Sequence, residues 1–364
     1  MHRVHHHESA PDSALSLLQE FRMSMIRPLS ALSLVAASAL VLAGCASQND
    51  AEAAAGGDAP AGADETIEFT FENNIAGEDE EPEYESVTVN VPKDPENVVI
   101  FDMASLDTWG SLGGAPVVGA PLDSVPDYLA DFVADDAINA GTLFEADLLE
   151  IEAAQPDLII VAGRSATLYD DLREIAPTVN LSSEGSFEET LERNTTFLGE
   201  VLGAEDEAAT ALADIEAQLA EVRELTAEIE TGLSVMVSGD SLSALKPANG
   251  DYSGRNLRGG LVYDLFGVAP ITDDIEAATH GEPISFEFLT EFDPEYLFVT
   301  DRNAATNEEG AQSADVVLDN DIVHETTAWK NDNIVYLDPT AWYIVFGGLQ
   351  TTQIMIDDIT AGVA

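Results

Sequence analysis

PDLIIVAGR, at residues 156–164, is an apolar run opened by a proline and followed by an arginine, and it predicts a short buried strand. A second run of the same form, PEYLFVTDR, occupies residues 294–302. Further apolar runs, separated by segments with helical spacing, lie at 98–101, 233–237 and 334–337. Strands that alternate with helices predict an α/β fold with largely parallel sheets.

The two matching runs place Arg164 and Arg302 just beyond the ends of their strands. In open α/β sheets, ligands bind beyond the carboxyl ends of strands. Two equivalent loops, one from each half of the chain, would therefore turn two guanidinium groups toward one cleft. Cations are scarce here, because only ten of the 13 Lys and Arg residues follow Cys45.

The segment 186–230 lies between these halves and contains no proline. Ser186 and Glu189 form a capping-box pattern at its start, and an Ala/Glu/Leu-rich helical pattern follows. The segment predicts either a rigid helical connector between two lobes or a peripheral helix pair of a single domain. Nearer the N-terminus, residues 66–71 and 87–91 predict a hairpin with an acidic loop at 72–86.

Composition excludes several classes of protein. The 364 residues allow about two domains, and 45% hydrophobic residues are enough for a core. With 69 Asp and Glu against 13 Lys and Arg, the charge of -56 argues against nucleic-acid binding, which needs clustered cations. It indicates a solvated acidic surface or a surface that attracts cations. The only cysteine is Cys45, so neither an intramolecular disulfide nor a Cys-based zinc site is possible.

The N-terminal segment predicts export. Residues 29–43 form an uncharged apolar run, shorter than the ~20 residues of a membrane span. The run ends in Leu-Ala-Gly-Cys at 42–45, which resembles the bacterial lipobox, so Cys45 is the expected lipidation site; an ordinary signal peptide with an incidental cysteine is the alternative. Residues 1–22 hold four of the six histidines and are expected to be a removed extension or to precede the true start, which leaves His280 and His324.

The sequence divides into five predicted regions. They are an extension with a signal peptide at 1–44, a flexible tether at 45–65, an N-terminal α/β lobe at 66–185, a connecting helical segment at 186–230 and a C-terminal α/β lobe at 231–364.

Five ordered stretches resemble one known family. They are VIFDMASLD at 99–107, DLIIVAGR at 157–164, ATHGEPISFE at 278–287, YLFVTDR at 296–302 and IVYLDPTAWY at 334–343. They are similar to the periplasmic-binding lipoproteins of iron ABC importers that take up catecholate siderophores of the petrobactin and enterobactin type. The resemblance spans residues 85–360. It implies two Rossmann-like α/β lobes joined by one long α-helix, with a ligand cleft between the lobes.

The resemblance also implies a site for iron that arrives with its siderophore. The family has a His and a Tyr at this site, and they match His280 and Tyr343. These two residues would complete the ferric coordination sphere when the siderophore offers only four oxygens. Fe(III) is a hard cation that suits phenolate and catecholate oxygen, and imidazole also ligates iron.

Three arginines of the family bind the catecholates, and they match Arg164, Arg302 and Arg258, although Arg255 could take the place of Arg258. A ferric catecholate complex is anionic, and guanidinium groups offer forked donors with a permanent charge.

Related proteins dock on their permease through one glutamate on each lobe. The C-terminal position matches Glu287, but the N-terminal equivalent is Leu149, so Glu150 or Glu145 is the candidate there.

The expected function is therefore an extracytoplasmic, lipid-anchored solute-binding protein that captures a ferric catecholate siderophore and delivers it to the permease subunits of an ABC importer. No nucleophile elbow, Gly-x-Gly-x-x-Gly or His-Glu-x-x-His motif occurs, so no enzyme and no intrinsic cofactor are expected. A cobalamin or haem binder on the same fold is the main alternative. A secreted hydrolase or a siderophore reductase is a further one. Two remaining histidines are too few for a zinc or manganese binder.

Overall fold

Two five-stranded sheets form the framework of the protein. The computed structural model describes residues 65–75, 83–252, 257–276, 278, 280–308 and 310–364. These residues belong to one compact unit that extends from Pro60 to Ala364. The predicted signal peptide, the lipidation site Cys45, the tether up to residue 64 and Arg255 lie outside the described residues.

A β-hairpin opens the described chain. Its strands are β1 (Thr66–Asn74) and β2 (Tyr84–Pro92). The predicted hairpin is confirmed, but the ladder continues to the pair Asn74–Tyr84, so the predicted acidic loop at 72–86 is too long. Asn73, near the end of β1, is buried and accepts a hydrogen bond from Asn180 at 3.3 Å, which fixes β1 to the neighbouring sheet.

The N-terminal sheet is parallel throughout. Its strands are β3 (Val98–Ile100), β4 (Val117–Ala120), β5 (Val133–Asn139), β6 (Leu158–Val161) and β7 (Thr178–Asn180). Its helices are α1 (Met103–Ser111), α2 (Leu148–Ala154) and α3 (Tyr169–Leu172), with 3-10 turns at Leu122–Ser124, Asp127–Phe132 and Gly163–Leu168. The strand order β5-β4-β3-β6-β7 reverses between β3 and β6. A crevice opens at such a reversal, beyond the carboxyl ends of the two strands.

Two helices follow this sheet. They are α4 (Phe187–Leu202) and α5 (Glu205–Thr226). The predicted capping box is confirmed, because Ser186 and Glu189 each accept a hydrogen bond from the other's backbone N–H. Gly203 ends α4 at φ 62, a left-handed conformation that glycine adopts without strain. With 22 residues, α5 is about 33 Å long and leads directly into the second sheet.

The C-terminal sheet is mixed. Its strands are β8 (Gly232–Ser238), β9 (Ser241–Leu245), β10 (Glu282–Ile284), β11 (Tyr296–Asp301) and β12 (Ile334–Leu337). The helices of this half are α6 (Leu257–Gly260), α7 (Phe286–Phe292), α8 (Arg302–Thr306), α9 (Ala314–Leu318), α10 (Thr327–Lys330) and α11 (Leu349–Val363). Helical turns occupy Leu261–Leu265 and Thr340–Val345, both π-helical, and Val323–Glu325. The order is β10-β9-β8-β11-β12, with β8, β11 and β12 parallel to one another.

The two-lobe α/β fold predicted from the sequence is confirmed. The exact lobe boundaries stay a prediction. One face of the C-terminal sheet, with Phe298 and Val335, joins a continuous core with the N-terminal lobe, α5 and α11. The opposite face, with Leu297 and Val299, covers a separate core. No helix among the described residues is both long enough and apolar enough to cross a membrane.

A buried carboxylate fastens α11 to the N-terminal lobe. Asp107 on α1 is fully buried and accepts hydrogen bonds from the backbone N–H groups of Gln350 at 2.9 Å and Thr351 at 2.7 Å. These N–H groups are in the first turn of α11 and lack partners within the helix. Gly348 precedes them, and a Cβ there would lie 2.7 Å from Asp107. Burial raises the pKa of Asp107, which these hydrogen bonds oppose.

Replacing Asp107 by alanine is expected to destabilise the protein by about 2–4 kcal/mol, because two buried N–H groups lose their acceptor. Urea unfolding would measure the loss, and Asp321→Ala, which removes an exposed carboxylate, is the control. Equal stability of the two variants would show that Asp107 does not hold α11 in place.

Candidate functional site

Tyr343 is at the centre of the predicted site. It belongs to the π-helical turn between β12 and α11, and its side chain is buried. The Tyr343 hydroxyl accepts a hydrogen bond from Arg302 Nε at 2.9 Å and lies 3.2 Å from His280 Nε2. The two predicted iron ligands are therefore neighbours, although 63 residues separate them in sequence.

Three guanidinium groups surround the Tyr343 ring. The distance from the guanidinium carbon to the ring centroid is 4.4 Å for Arg258, 5.7 Å for Arg302 and 5.8 Å for Arg164. These distances lie within the ~6 Å range of cation–π attraction. The three arginines predicted from the sequence thus form one group, called here the arginine cluster.

Equivalent chain segments position two of these arginines. Arg164 follows β6 and Arg302 follows β11, each at the carboxyl end of a parallel strand. A seven-residue helix precedes each strand, and it ends in a left-handed residue, Gln155 at φ 49 or Asp293 at φ 48. Arg258 lies instead on the short helix α6, so only the family resemblance indicated it.

Arg164 connects the two lobes. It extends from the N-terminal lobe and donates from Nη1 to the Ile344 carbonyl at 3.0 Å and from Nη2 to the Tyr343 carbonyl at 2.8 Å. Its forked geometry suits two parallel bonds. Arg164 therefore fixes the backbone that carries Tyr343, a role that the sequence did not predict.

The arginine cluster has few carboxylate partners. Among the described residues, Arg302 pairs with Glu308 at 3.5 Å, whereas Arg164 and Arg258 form no ion pair. The buried Nε of Arg258 donates no hydrogen bond to any described residue. Burial lowers the pKa of Arg258, and the charge of Arg164 adds to this effect. Arginine nevertheless stays protonated in proteins, so the site concentrates uncompensated positive charge.

His280 completes the group from the C-terminal lobe. Its imidazole is partly exposed, and its plane is roughly parallel to the Tyr343 ring at a centroid distance of 6.3 Å. Burial lowers the pKa of His280, and the charges of Arg302, Arg258 and Arg164 lower it further. Since metal ions bind the neutral imidazole, these arginines favour the form that can ligate iron.

A cavity of about 160 Å³ adjoins the arginine cluster. It lies at the strand-order reversal between β3 and β6, and both Arg164 and Arg258 line it. Tyr343, His280 and Arg302 do not line it, so the cavity is beside the two candidate iron ligands rather than around them. Phe346 closes one side, with its ring edge-on to Phe187 at 6.3 Å.

The candidate docking glutamates are all exposed. Glu287 lies in the first turn of α7, and Glu150 lies in the first turn of α2. Hydrogen bonds from its own backbone N–H and from Ser285 lower the pKa of Glu287. Glu145 precedes α2 in a short loop. Leu149, which stands at the position equivalent to Glu287, is 79% exposed.

Sequence reasoning missed Asp102 and Phe346. Asp102 lies two residues after the end of β3 and lines the cavity with Arg164. The strand-order rule that indicated Arg164 also applies to Asp102, but the strand order was unknown from the sequence. Phe346 adopts a left-handed conformation at φ 58, and its ring lies 5.4 Å from the Arg258 guanidinium. No local pattern signals that conformation for phenylalanine.

Comparison with known proteins shows which family and which characterised proteins this chain is similar to. The sequence profile of the periplasmic binding proteins matches residues 98–341. The chain is 35% identical over 275 residues to the petrobactin-binding protein YclQ of Bacillus subtilis, an alignment that covers 75% of this chain and 84% of YclQ.

Two solved structures support the same relationship. A TroA-like periplasmic binding protein from Xylanimonas cellulosilytica is 61% identical with a TM-score of 0.79, and the match covers 82% of this chain and 99% of that one. The periplasmic catecholate-siderophore binding protein VctP from Vibrio cholerae is 30% identical with a TM-score of 0.69, over 82% of this chain and 100% of VctP.

Proposed function

This chain belongs to the periplasmic binding protein family, and from its arginine cluster we infer that it binds a ferric catecholate siderophore and delivers it to an ABC importer. It is an extracytoplasmic solute-binding protein and not an enzyme. The relatives that it resembles are likewise binding proteins. The iron is cargo that enters with its siderophore, so the protein needs no cofactor of its own.

The unpaired arginines carry this proposal. In a protein with 69 acidic residues, an arginine without a carboxylate partner is unexpected, yet Arg164 and Arg258 form no ion pair with the described residues. Their charges therefore remain available to an anionic ligand. A ferric catecholate is anionic and offers oxygen acceptors, and each charge-assisted hydrogen bond to it contributes roughly 1.5–3 kcal/mol.

The net charge of -56 does not prevent such binding. Charges on the surface are screened beyond about 8–10 Å at ordinary salt concentrations. The arginine cluster, by contrast, is partly buried and acts at contact distance. Local cations thus dominate the potential that the ligand meets in the cleft.

His280 and Tyr343 would act on the iron itself. A tetradentate siderophore leaves two of the six ferric positions open, and a neutral imidazole with a phenolate oxygen fills two positions with suitable donors. The 3.2 Å distance between His280 Nε2 and the Tyr343 hydroxyl is short enough for both groups to bind one iron ion. Because α5 and the continuous core join the lobes, capture requires only limited hinge motion.

Delivery would use the exposed glutamates and a membrane anchor. We assign permease docking to Glu287 on the C-terminal lobe and to Glu150 or Glu145 on the N-terminal lobe, where permease arginines would meet them. Lipidation of Cys45 would hold the protein at the membrane surface near its permease.

A ligand panel tests the proposal against cobalamin and haem. Trp342 directly precedes Tyr343 in the chain, so its fluorescence should respond to a ligand in the site. Ferric bis- and tris-catecholates should quench it saturably, and ferric hydroxamates should bind much more weakly. Saturable binding of cobalamin or haem without catecholate binding would overturn the proposal.

A further inference from the structure

A single carboxylate faces the cavity that the arginines line. Asp102 lies at the carboxyl end of β3, half-buried, and shares the cavity wall with Arg164 and Arg258. A pocket that serves only an anion gains nothing from a carboxylate at this position, since the negative charge repels the ligand. Asp102 therefore needs its own explanation.

One explanation is structural. Asp102 is the N-cap of α1, and its Oδ2 accepts hydrogen bonds from Ser105 N at 2.8 Å and from Ser105 Oγ at 2.7 Å. Asparagine and serine cap helices about as well as aspartate does. Capping thus accounts for one oxygen of the side chain and does not require its charge.

The second oxygen is unused. Oδ1 of Asp102 accepts no hydrogen bond from the described residues, and Asp102 forms no ion pair with them. Several other polar side chains in the cavity wall are already bonded within the protein, including Ser182 to Asn180, Thr190 to the Glu184 carbonyl and Asn194 to the Leu181 carbonyl. Asp102 is the carboxylate of the cavity wall, and its Oδ1 is therefore an open anionic acceptor.

Partial burial of Asp102 disfavours its charged form. Desolvation raises the pKa of Asp102, and the Ser105 hydrogen bonds and the charge of Arg164 only oppose that effect. Both Nη groups of Arg164 donate to backbone carbonyls, so the guanidinium does not neutralise the carboxylate by direct contact. A cation brought by the ligand would complete the ion pair.

We propose that Asp102 Oδ1 binds a protonated amine in the backbone of the siderophore, so that the protein selects ferric catecholates with a cationic linker over those with a neutral linker. This inference rests on the proposed function. The ligand would be dipolar, with its anionic iron centre against the arginine cluster and its ammonium group in the cavity beside Asp102.

Two matched probes test the inference. Both are ferric bis-catecholates of equal length, and their linkers differ at one position, which is a secondary amine in one and an ether oxygen in the other. The wild-type protein should bind the amine probe about 10 to 100 times more tightly, the range expected for one charge-assisted hydrogen bond. Asp102→Asn should lose most of this preference while its far-UV spectrum and thermal midpoint stay close to wild type.

The affinity of Asp102→Asn for the ether probe should hold or rise, since a negative charge has left an anion site. Asp102→Ser should behave in the same way, because serine also caps helices. Agreement between the two variants would exclude a defect specific to asparagine. Equal wild-type affinity for both probes, or an equal loss of both in the variants, would overturn the amine subsite alone. Failure of the wild-type protein to bind either probe would overturn the proposed function as well.

Discussion

Replacing Arg258 and Arg302 by glutamine is expected to weaken the binding of a ferric bis-catecholate by about 10²–10⁴-fold, from roughly 1.5–3 kcal/mol for each charge-assisted bond. Glutamine keeps a hydrogen-bonding side chain and removes the charge, so the loss measures electrostatic recognition. Isothermal titration at several salt concentrations would show a lower affinity and a smaller dependence on salt.

A measurement of thermal stability distinguishes the loss of ligand recognition from unfolding of the variant. Arg258 is partly buried beside Arg164 without an ion pair to the described residues, so its replacement should leave the thermal midpoint unchanged or raise it. Arg173→Gln is the matched control, because Arg173 is exposed and pairs with Asp170 at 3.5 Å on α3. An affinity within threefold of wild type for the double variant would contradict the role of the arginine cluster.

Removing both candidate iron ligands should discriminate between siderophores. His280→Ala with Tyr343→Phe is expected to weaken a tetradentate ferric complex by about 100-fold or more, since even changes to the outer-shell partners of metal ligands cost 10–100-fold. A hexadentate complex leaves no iron position open and should lose little. Phenylalanine keeps the ring that the three guanidinium groups contact. Equal losses for both complexes, measured by fluorescence quenching, would refute the ligand roles.

The pH dependence gives a second readout for His280. Protons compete with iron for the imidazole, and burial together with the three arginines lowers the pKa of His280 below its ordinary value of 6.5. The tetradentate complex should therefore keep its affinity, relative to the hexadentate one, from pH 8 down to 6.5 and lose it only at lower pH. His280→Ala should remove this relative dependence, whereas Tyr343→Phe should retain it.

Much of the fold follows from local sequence patterns. The buried β-branched runs at 156–164 and 294–302 predict strands because each is short, apolar and bounded by a proline and a polar turn. The same pattern places Arg164 and Arg302 at the strand ends, where the structure has them. The Ser186–Glu189 capping box can also be predicted from the local sequence, since its two hydrogen bonds join residues only three positions apart.

The remaining features depend on contacts between distant residues. Asp107 bonds to the start of α11 across 243 residues, and Arg164 bonds to the Ile344 carbonyl across 180 residues. No periodicity in the sequence signals either contact. The cavity beside Asp102 depends on the order of strands in the sheet, which the apolar runs do not specify.

The most direct test of the arginine cluster with Tyr343 and His280 is an absorption titration of the protein into a ferric bis-catecholate. The catecholate-to-iron charge-transfer band should shift to shorter wavelength at one equivalent, as the phenolate and imidazole replace water, and it should acquire circular dichroism from its chiral surroundings. A complex that binds fully with an unchanged band would contradict iron coordination by these residues. Absence of any binding would contradict the siderophore assignment itself.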